Sequence, residues 1–575
     1  MPRVVRCAGV LAGLALLIGA PAAMGDAGGE YVVVYEQGAG IAAARAAVHD
    51  AGGTIVAENT DVGVATVRSD DPQFAAKATD QSALQGAADN RPIGRAPGAA
   101  AHGRPAWRDV ESESSARSGG DAGARPPAGG DPLSGLQWDM QLIGATPAGS
   151  YARQQANHGV RIGIMDTGVD GNHPDIAPNF DRALSRNFTV DNSQPGIDDG
   201  PCEHPSCVDP VDEDDDGHGT HVAGTIGAAL NGLGMAGVAP QADLVNIRAG
   251  QDSSFFLLQP TVDALTYAGN AGIDIVNMSF FIDPWLFNCA GNPADSPEEQ
   301  AQQRTIITAT QRAVNFAHDR GVTLIAAEGN ESTDLGKPTV DAMSPDFPAG
   351  AKRTRTVDNS CLEMPSEAPD VLDVSSVGPV NLASSPFPRK AYYSNYGLEQ
   401  TTVAAPGGDR REFFGTPQYD APENRILSPY PLNVAQACGE VDARGVPNGD
   451  TTCSTTPGRR FPPLVRSCAQ GTCALYQWIQ GTSMAAPHAV GVAAIIVAQR
   501  GRRDRARGGL TLAPDTVEKV LRATATNTPC PAQQPFTYPD LPGPPFDAVC
   551  EGTADVNGFY GDGIVNALAA ARSGG

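Results

Sequence analysis

The sequence predicts an α/β fold, a mostly parallel central sheet with helices packed on it, preceded by a small α+β module. Three observations carry this. Short apolar runs, VRIGIM at 160–165 and GVTLIAA at 321–327, read as buried strands that end in glycine-bearing turns. Long stretches of small apolar residues, at 221–230 and 484–500, read as buried helices. The first hundred residues follow a different pattern, and a segment poor in large apolar residues separates them from the rest.

Taken in order, residues 1–25 carry Arg3 and Arg6, an apolar stretch too short for a membrane span, and small residues suited to cleavage, which is the pattern of a signal peptide. The module at 26–95 follows. It has a strand at 31–35 (YVVVY), an alanine-rich helix at 40–51, strands at 54–58 and 62–68, and a helix at 72–79. Residues 96–130 are rich in Ala, Gly, Ser, Pro and Arg and read as a flexible linker, where a protease can bind extended chain. Maturation cleavage is expected there, with Arg117 and Arg125 as two exposed sites between which the sequence does not choose.

The large domain, 131–575, holds three segments that supply an acid, a base and a nucleophile: IGIMDTGVDGNHPD around Asp166, GHGTHVAGTIGA around His218 and GTSMAAPHAVGVAA around Ser483. A serine hydroxyl needs an imidazole to take its proton, and the imidazole needs a carboxylate to fix its tautomer and support its cation. Asp166 follows an apolar strand, at the carboxyl end where open α/β sheets build their sites. Gly217 and Gly219 flank His218, and Ser483 opens a helix-like run behind Gly481. His221, three residues after His218, would share its helix face.

The three segments, in the order Asp, His, Ser, resemble those of the subtilisin-like serine proteases, over roughly 131–575. The resemblance implies a subtilisin-like three-layer fold, a secreted endopeptidase, and a ferredoxin-like N-terminal module that serves as inhibitory propeptide. It makes Asp166, His218 and Ser483 catalytic, and it makes Asn330, in the GN turn after the strand at 321–327, the oxyanion donor together with the Ser483 amide. It also implies a substrate pocket walled by Ser279, Phe280 and Phe281 on one side and Ala327, Glu328 and Gly329 on the other. Phe281 stands where the family has glycine and would narrow the cleft if it points inward, or only pack if outward. Glu328 and Glu331 suggest a preference for a basic side chain. Two further readings share the motifs: a narrowly specific exopeptidase or processing protease, and a silent subtilase-fold binding protein.

Composition bounds the rest. With 65 acidic against 40 basic residues the net charge is −25, so nucleic acid is not an expected partner; peptides or proteins are. Eleven cysteines become ten once Cys7 leaves with the signal peptide, an even number that suits an oxidising, extracellular compartment. Cys202 with Cys207 and Cys530 with Cys550 are the natural close pairs, and insertions near 190–212 and 407–480 are expected to carry disulfides. Between Pro195 and Gly217 stand nine acidic residues and no Lys or Arg. This run is a solvated loop, a calcium site, or a surface that favours cationic substrates. The resemblance gives Asp175 as a calcium ligand, although Gly232 stands where its partner loop would carry Asn or Asp. No cofactor is expected for catalysis. A monomer without a membrane anchor in its mature form is expected.

Overall fold

In the computed structural model, which describes residues 29–90, 110–111, 126–191, 199, 202–280, 284–345, 352–448 and 463–574 together with the backbone of 92–95, the strand reading of 160–165 becomes the centre of a sheet. The expected signal peptide, Arg117, Arg125, Phe281 and Cys453 lie outside the described residues.

The N-terminal module runs β1 (Gly29–Tyr35), α1 (Ile41–Asp50), β2 (Thr54–Asn59), β3 (Val64–Ser69), α2 (Phe74–Thr79) and β4 (Leu84–Asp89). Its antiparallel sheet has the order β2-β3-β1-β4. The alternation along β1 explains its central place. Tyr31, Val33 and Tyr35 face the module's own core with Phe74, and Val32 and Val34 face the large domain. The last strand, β4, was not expected from the sequence, because LQGAAD has little β-branched character. A further strand, β5 (Pro92–Arg95), leaves the module and pairs antiparallel with a strand of the large domain.

That large domain begins its sheet with β6 (Arg161–Met165) and β7 (Arg186–Asn187). Next come α3 (His218–Gly227), β8 (Asp243–Arg248), β9 (Phe255–Leu257, the partner of β5), α4 (Leu258–Ala271), β10 (Ile275–Met278), α5 (Pro297–Asp319) and β11 (Thr323–Ala327). Strands β12 (Val371–Val377) and β13 (Thr401–Pro406) complete a seven-stranded sheet of order β13-β12-β11-β10-β6-β8-β7, parallel throughout. Central strands buried on both faces need continuous apolar sequence, which is what RIGIM, IVNM and TLIAA supply. One face carries α4 and α5. The other carries α3 and α6 (Thr482–Arg500), which is buried along most of its length.

The module docks on α4 and α5. Val32, Val34, Val62 and Val64 share one core with Phe256, Val262, Leu265 and Ile306, and each such side chain contributes about 1.5–3 kcal/mol when withdrawn from water. Asn59 Nδ2 donates to Asp263 Oδ1 at 2.7 Å, and Arg312 Nη1 to the Tyr35 carbonyl at 2.8 Å.

The segment 407–480, expected as disulfide-clamped loops, instead forms a three-stranded antiparallel sheet. Its strands are β14 (Ile426–Tyr430), β15 (Val465–Ala469) and β16 (Thr472–Ile479), in the order β14-β16-β15. It packs on α3, where a side chain at Gly224 would strike Pro429 and Ser428. Disulfides join Cys202 to Cys207, Cys289 to Cys361, Cys468 to Cys473 and Cys530 to Cys550, and Cys438 is also disulfide-bonded.

Candidate active site

Three strand ends and two helix starts meet at the carboxyl edge of the parallel sheet, which is where backbone direction reverses and clefts form in open α/β sheets. β6 ends at Met165 and delivers Asp166, fully buried. Gly217, at φ +99°, turns the chain into α3, so that His218 starts the helix facing Asp166. Gly219 lets the two approach, because a Cβ there would run into the Gly168 carbonyl and the Asp166 side chain.

His218 Nδ1 lies 2.8 Å from Asp166 Oδ1, which also accepts the Thr167 N–H at 2.8 Å. With the Nδ1 proton given to Asp166, a neutral His218 has Nε2 free to accept a proton, and Nε2 has no hydrogen-bond partner among the described residues. Burial opposes the imidazolium, yet Asp166, Glu111 and Asp216 together lift the His218 pKa above its ordinary value.

Ser483 sits in the first turn of α6, behind Gly481, and its hydroxyl lies 3.5 Å from the Ser279 carbonyl. Its own amide is one of the first-turn N–H groups that a helix leaves unpaired internally. Asn330 is locked beside it. Its Oδ1 accepts from Thr482 N and Thr482 Oγ1, both at 3.0 Å, and this fixes the direction of Nδ2. Nδ2 donates to Glu111 Oε1 at 3.2 Å.

Glu111 is the residue that sequence reasoning missed. It lies within the span read as an exposed linker, but it is 1% exposed, with the Val110 carbonyl held by Gln480 Nε2 at 2.8 Å. Its carboxylate reaches into the site: Oε1 accepts from Asn330, and Oε2 stands 3.6 Å from His218 Nε2. Burial raises its pKa, against the pull of His218. Nothing local in a polar ESES stretch signals this contact.

The expected substrate wall is corrected in part. Ser279 stays at the site, its hydroxyl donating to the Ser483 carbonyl at 3.0 Å. Phe280 does not line a pocket: it is 3% exposed and stacks on Phe256 with ring centroids 4.1 Å apart. Ala327 closes β11, and Gly329 donates its N–H to Thr482 Oγ1 at 3.2 Å. Glu328 faces the interior. Its Oε1 accepts the Thr401 hydroxyl at 2.6 Å, on β13, so its carboxylate turns into the core.

Asp175 does not fit a calcium ion. Its Oδ1 accepts from Asn231 at 3.1 Å, and its Oδ2 from Tyr476 at 2.6 Å and Met235 N at 3.2 Å, so donors rather than a cation face both oxygens. Burial raises this carboxyl to about 7. In the acidic loop, Asp191, Asp209 and Asp252 offer oxygens within 4.8 Å of one another, but the buried Arg248 guanidinium already stands among them, 2.8 Å from Asp209.

The family model described as "Subtilase family" matches residues 157–539. Among characterised relatives, Subtilisin Savinase of Lederbergia lenta is 30% identical over 195 residues, 34% of this chain and 56% of the relative. Thermitase of Thermoactinomyces vulgaris is 28% identical over 275 residues, 48% of this chain and 80% of the relative. The matched region thus spans about half the length of the first of these. Among solved structures, the epidermin leader peptide processing serine protease of Staphylococcus aureus superposes with a TM-score of 0.58 at 20% identity, over 95% of this chain and 98% of its own. Fervidolysin of Fervidobacterium pennivorans gives 0.53 at 20% identity, over 95% of this chain and 61% of its own. Both likenesses show the fold.

Proposed function

The chain belongs to the subtilase family, and from that premise we propose that it is a secreted serine endopeptidase made as a self-processing precursor. The observation that carries this reading is the convergence of Asn330 and His218 on a single carboxylate beside the Ser483 turn, with Asp166 2.8 Å behind the imidazole. A carboxylate held by those groups occupies the place where an acyl carbonyl and its oxyanion would sit.

In the proposed reaction Ser483 Oγ attacks the scissile carbonyl, and His218 Nε2 takes its proton and passes it to the leaving amine. Asp166 holds the Nδ1–H tautomer and supports the imidazolium. Asn330 Nδ2 and the Ser483 N–H receive the oxyanion, a contribution of about 3 kcal/mol for the side-chain donor. Water then attacks the acyl-enzyme with His218 again as base. Subtilases need no cofactor for catalysis.

The module 26–95 is proposed as the intramolecular inhibitor. Its support is threefold: docking on α4 and α5, the β5 strand laid along β9, and Glu111 seated against the reacting groups. Cleavage within 112–130, followed by withdrawal of 110–111, would free the site. Secretion is supported by the signal-like residues 1–25 and by the disulfides.

The test is expression of the full precursor beside Ser483→Ala, with processing on gels, fluorophosphonate labelling and casein hydrolysis. The wild type should lose about 100 residues, label and cleave, and the variant should do none of these. A folded wild type that neither labels nor processes would leave a silent subtilase-fold binding protein as the reading.

A further inference from the structure

The chain carries a net charge of −25, yet one short stretch runs against it. From Arg500 to Arg507 the sequence RGRRDRAR holds five arginines and one aspartate. Arg500 ends α6. Arg502–Arg503 and Leu510–Thr511 then pair as an antiparallel hairpin, and Gly508 and Gly509, at φ +80° and +70°, return the chain.

Part of this charge holds the hairpin in place. Arg507 Nη1 donates to the Arg320 carbonyl at 2.8 Å and to the Gly269 carbonyl at 3.2 Å, and Arg161 Nη1 donates to the Arg507 carbonyl at 2.8 Å. These bonds staple the hairpin to the C-terminal ends of α4 and α5 and to the start of β6, at the amino edge of the parallel sheet. Asp504 is taken up inside the turn. Its Oδ1 accepts the Ala506 and Arg507 N–H groups at 2.8 and 3.1 Å, and its Oδ2 accepts Arg507 Nε at 3.0 Å.

The remaining arginines have no such task. Arg502, Arg503 and Arg505 are exposed, and among the described residues none of their side chains makes a hydrogen bond or an ion pair, since the adjacent carboxylate belongs to Arg507. Arg320, exposed where Arg507 is anchored, lies over the Phe316 ring and has no ion pair among the described residues. Four guanidiniums without a carboxylate concentrate positive potential at this edge. Phosphate oxygens are the complementary chemistry, because a guanidinium fork binds them in pairs.

The placement decides what carries the phosphates. α6 runs from Ser483 to Arg500, so about 26 Å separates the nucleophile from the hairpin. At physiological salt, exposed charges more than about 8 Å from a surface are largely screened. A flat anionic surface that meets the hairpin therefore feels the arginines and little of the acidic remainder, whereas a long polyanion that wraps the protein meets both. The stretch also has no aromatic side chain on which a base could stack.

We propose that the Arg500–Arg507 hairpin is an electrostatic docking surface for an anionic phospholipid bilayer, which holds the protein peripherally with the carboxyl edge of its sheet, and so Ser483, turned away from the membrane. This contact is independent of whether the chain cleaves peptides.

The experiment is vesicle sedimentation with the full chain, comparing phosphatidylcholine vesicles with vesicles that hold about 40% phosphatidylglycerol, in about 0.1 M salt. The anionic vesicles should bind the wild type about 100-fold more strongly, and about 1 M salt should release it. Arg502→Gln, Arg503→Gln and Arg505→Gln together should lower the partition coefficient by about 100-fold, at about fivefold per arginine. The three side chains are exposed and unpartnered, so the variant should unfold thermally with the wild type, and its loss of binding is then a loss of contact. Arg182→Gln, Arg444→Gln and Arg466→Gln together change the net charge equally at exposed positions elsewhere, and should leave binding within about threefold. Equal binding to neutral and anionic vesicles, a hairpin variant that binds like the wild type, or an equal loss in the second variant overturns the proposal. Retention of a DNA duplex without binding to the vesicles also overturns it, and would give the hairpin to nucleic acid.

Discussion

His218 and His221 stand three residues apart on α3, both buried, and their surroundings drive the two imidazoles in opposite directions. His218 faces Asp166, Glu111 and Asp216, and its pKa rises in spite of burial. His221 Nε2 lies between the carbonyls of Ile426 at 3.2 Å and Gln477 at 3.1 Å, and burial, then repulsion from His218, lowers its pKa to about 3. Burial alone makes an imidazole a neutral strut between β14 and β16. A facing carboxylate makes it a base.

The largest expected effect breaks this comparison outright. His218→Ala should reduce kcat/KM by roughly four to six powers of ten and abolish fluorophosphonate labelling, with the circular dichroism spectrum retained. His221→Ala should keep turnover per labelled active site within about tenfold, and lose about 1–3 kcal/mol of stability as two buried carbonyls lose their donor. Both are read by titrating active sites before measuring rates. Equal losses of turnover in the two variants would mean that the carboxylate environment does not distinguish them.

A second effect sharpens the comparison on the oxyanion side. Asn330→Ala should lower kcat by about two to three powers of ten with KM little changed, because Nδ2 would act on charge that develops only in the transition state. Steady-state kinetics on one peptide decide it, and an unchanged kcat would remove Asn330 from the reaction.

A third concerns the carboxylate that reaches His218 from outside the sheet. Glu111→Ala in the uncut precursor should speed fluorophosphonate labelling by about tenfold, since it removes a side chain held by Asn330 and attracted to His218. Stopped-time labelling with intact precursor identified on gels measures this. An unchanged rate would mean that segment 110–111 does not bar the nucleophile.

The motifs made the strand ends and helix starts legible. DTG, GHGTH, GTSMA and the GN turn at 329–330 each combine a polar residue with glycine, so Asp166, His218, Ser483 and Asn330 are the candidates that the sequence offers. The expected substrate wall was less legible. Glu328 turns into the core toward Thr401, a residue more than seventy positions away, and no local pattern announces that contact. Glu111 is the extreme case, since it sits in low-complexity sequence whose only information is the fold it inserts into.

The smallest effect tests His221 by titration. Its folded pKa, about 3, and that of His173, lowered by burial to about 4, lie below the unfolded value near 6.5. Below that value the unfolded chain binds more protons, so the stability these residues contribute is complete above about pH 6.5 and is lost as pH falls through the folded pKa. Carboxyls raised by burial, such as Asp175 to about 7, act in the opposite sense, so the total pH profile is mixed and only a difference isolates the histidine. Urea unfolding of Ser483→Ala, with and without His221→Gln, should therefore diverge on the acid side. Between pH 6 and pH 4 the slope contributed by His221 is at most one proton, about 1.4 kcal/mol per pH unit, and it should vanish in the Gln variant. Parallel slopes in the two proteins would mean that His221 is protonated in the folded state, and the opposition between the two histidines of α3 would then rest on geometry without a difference in charge.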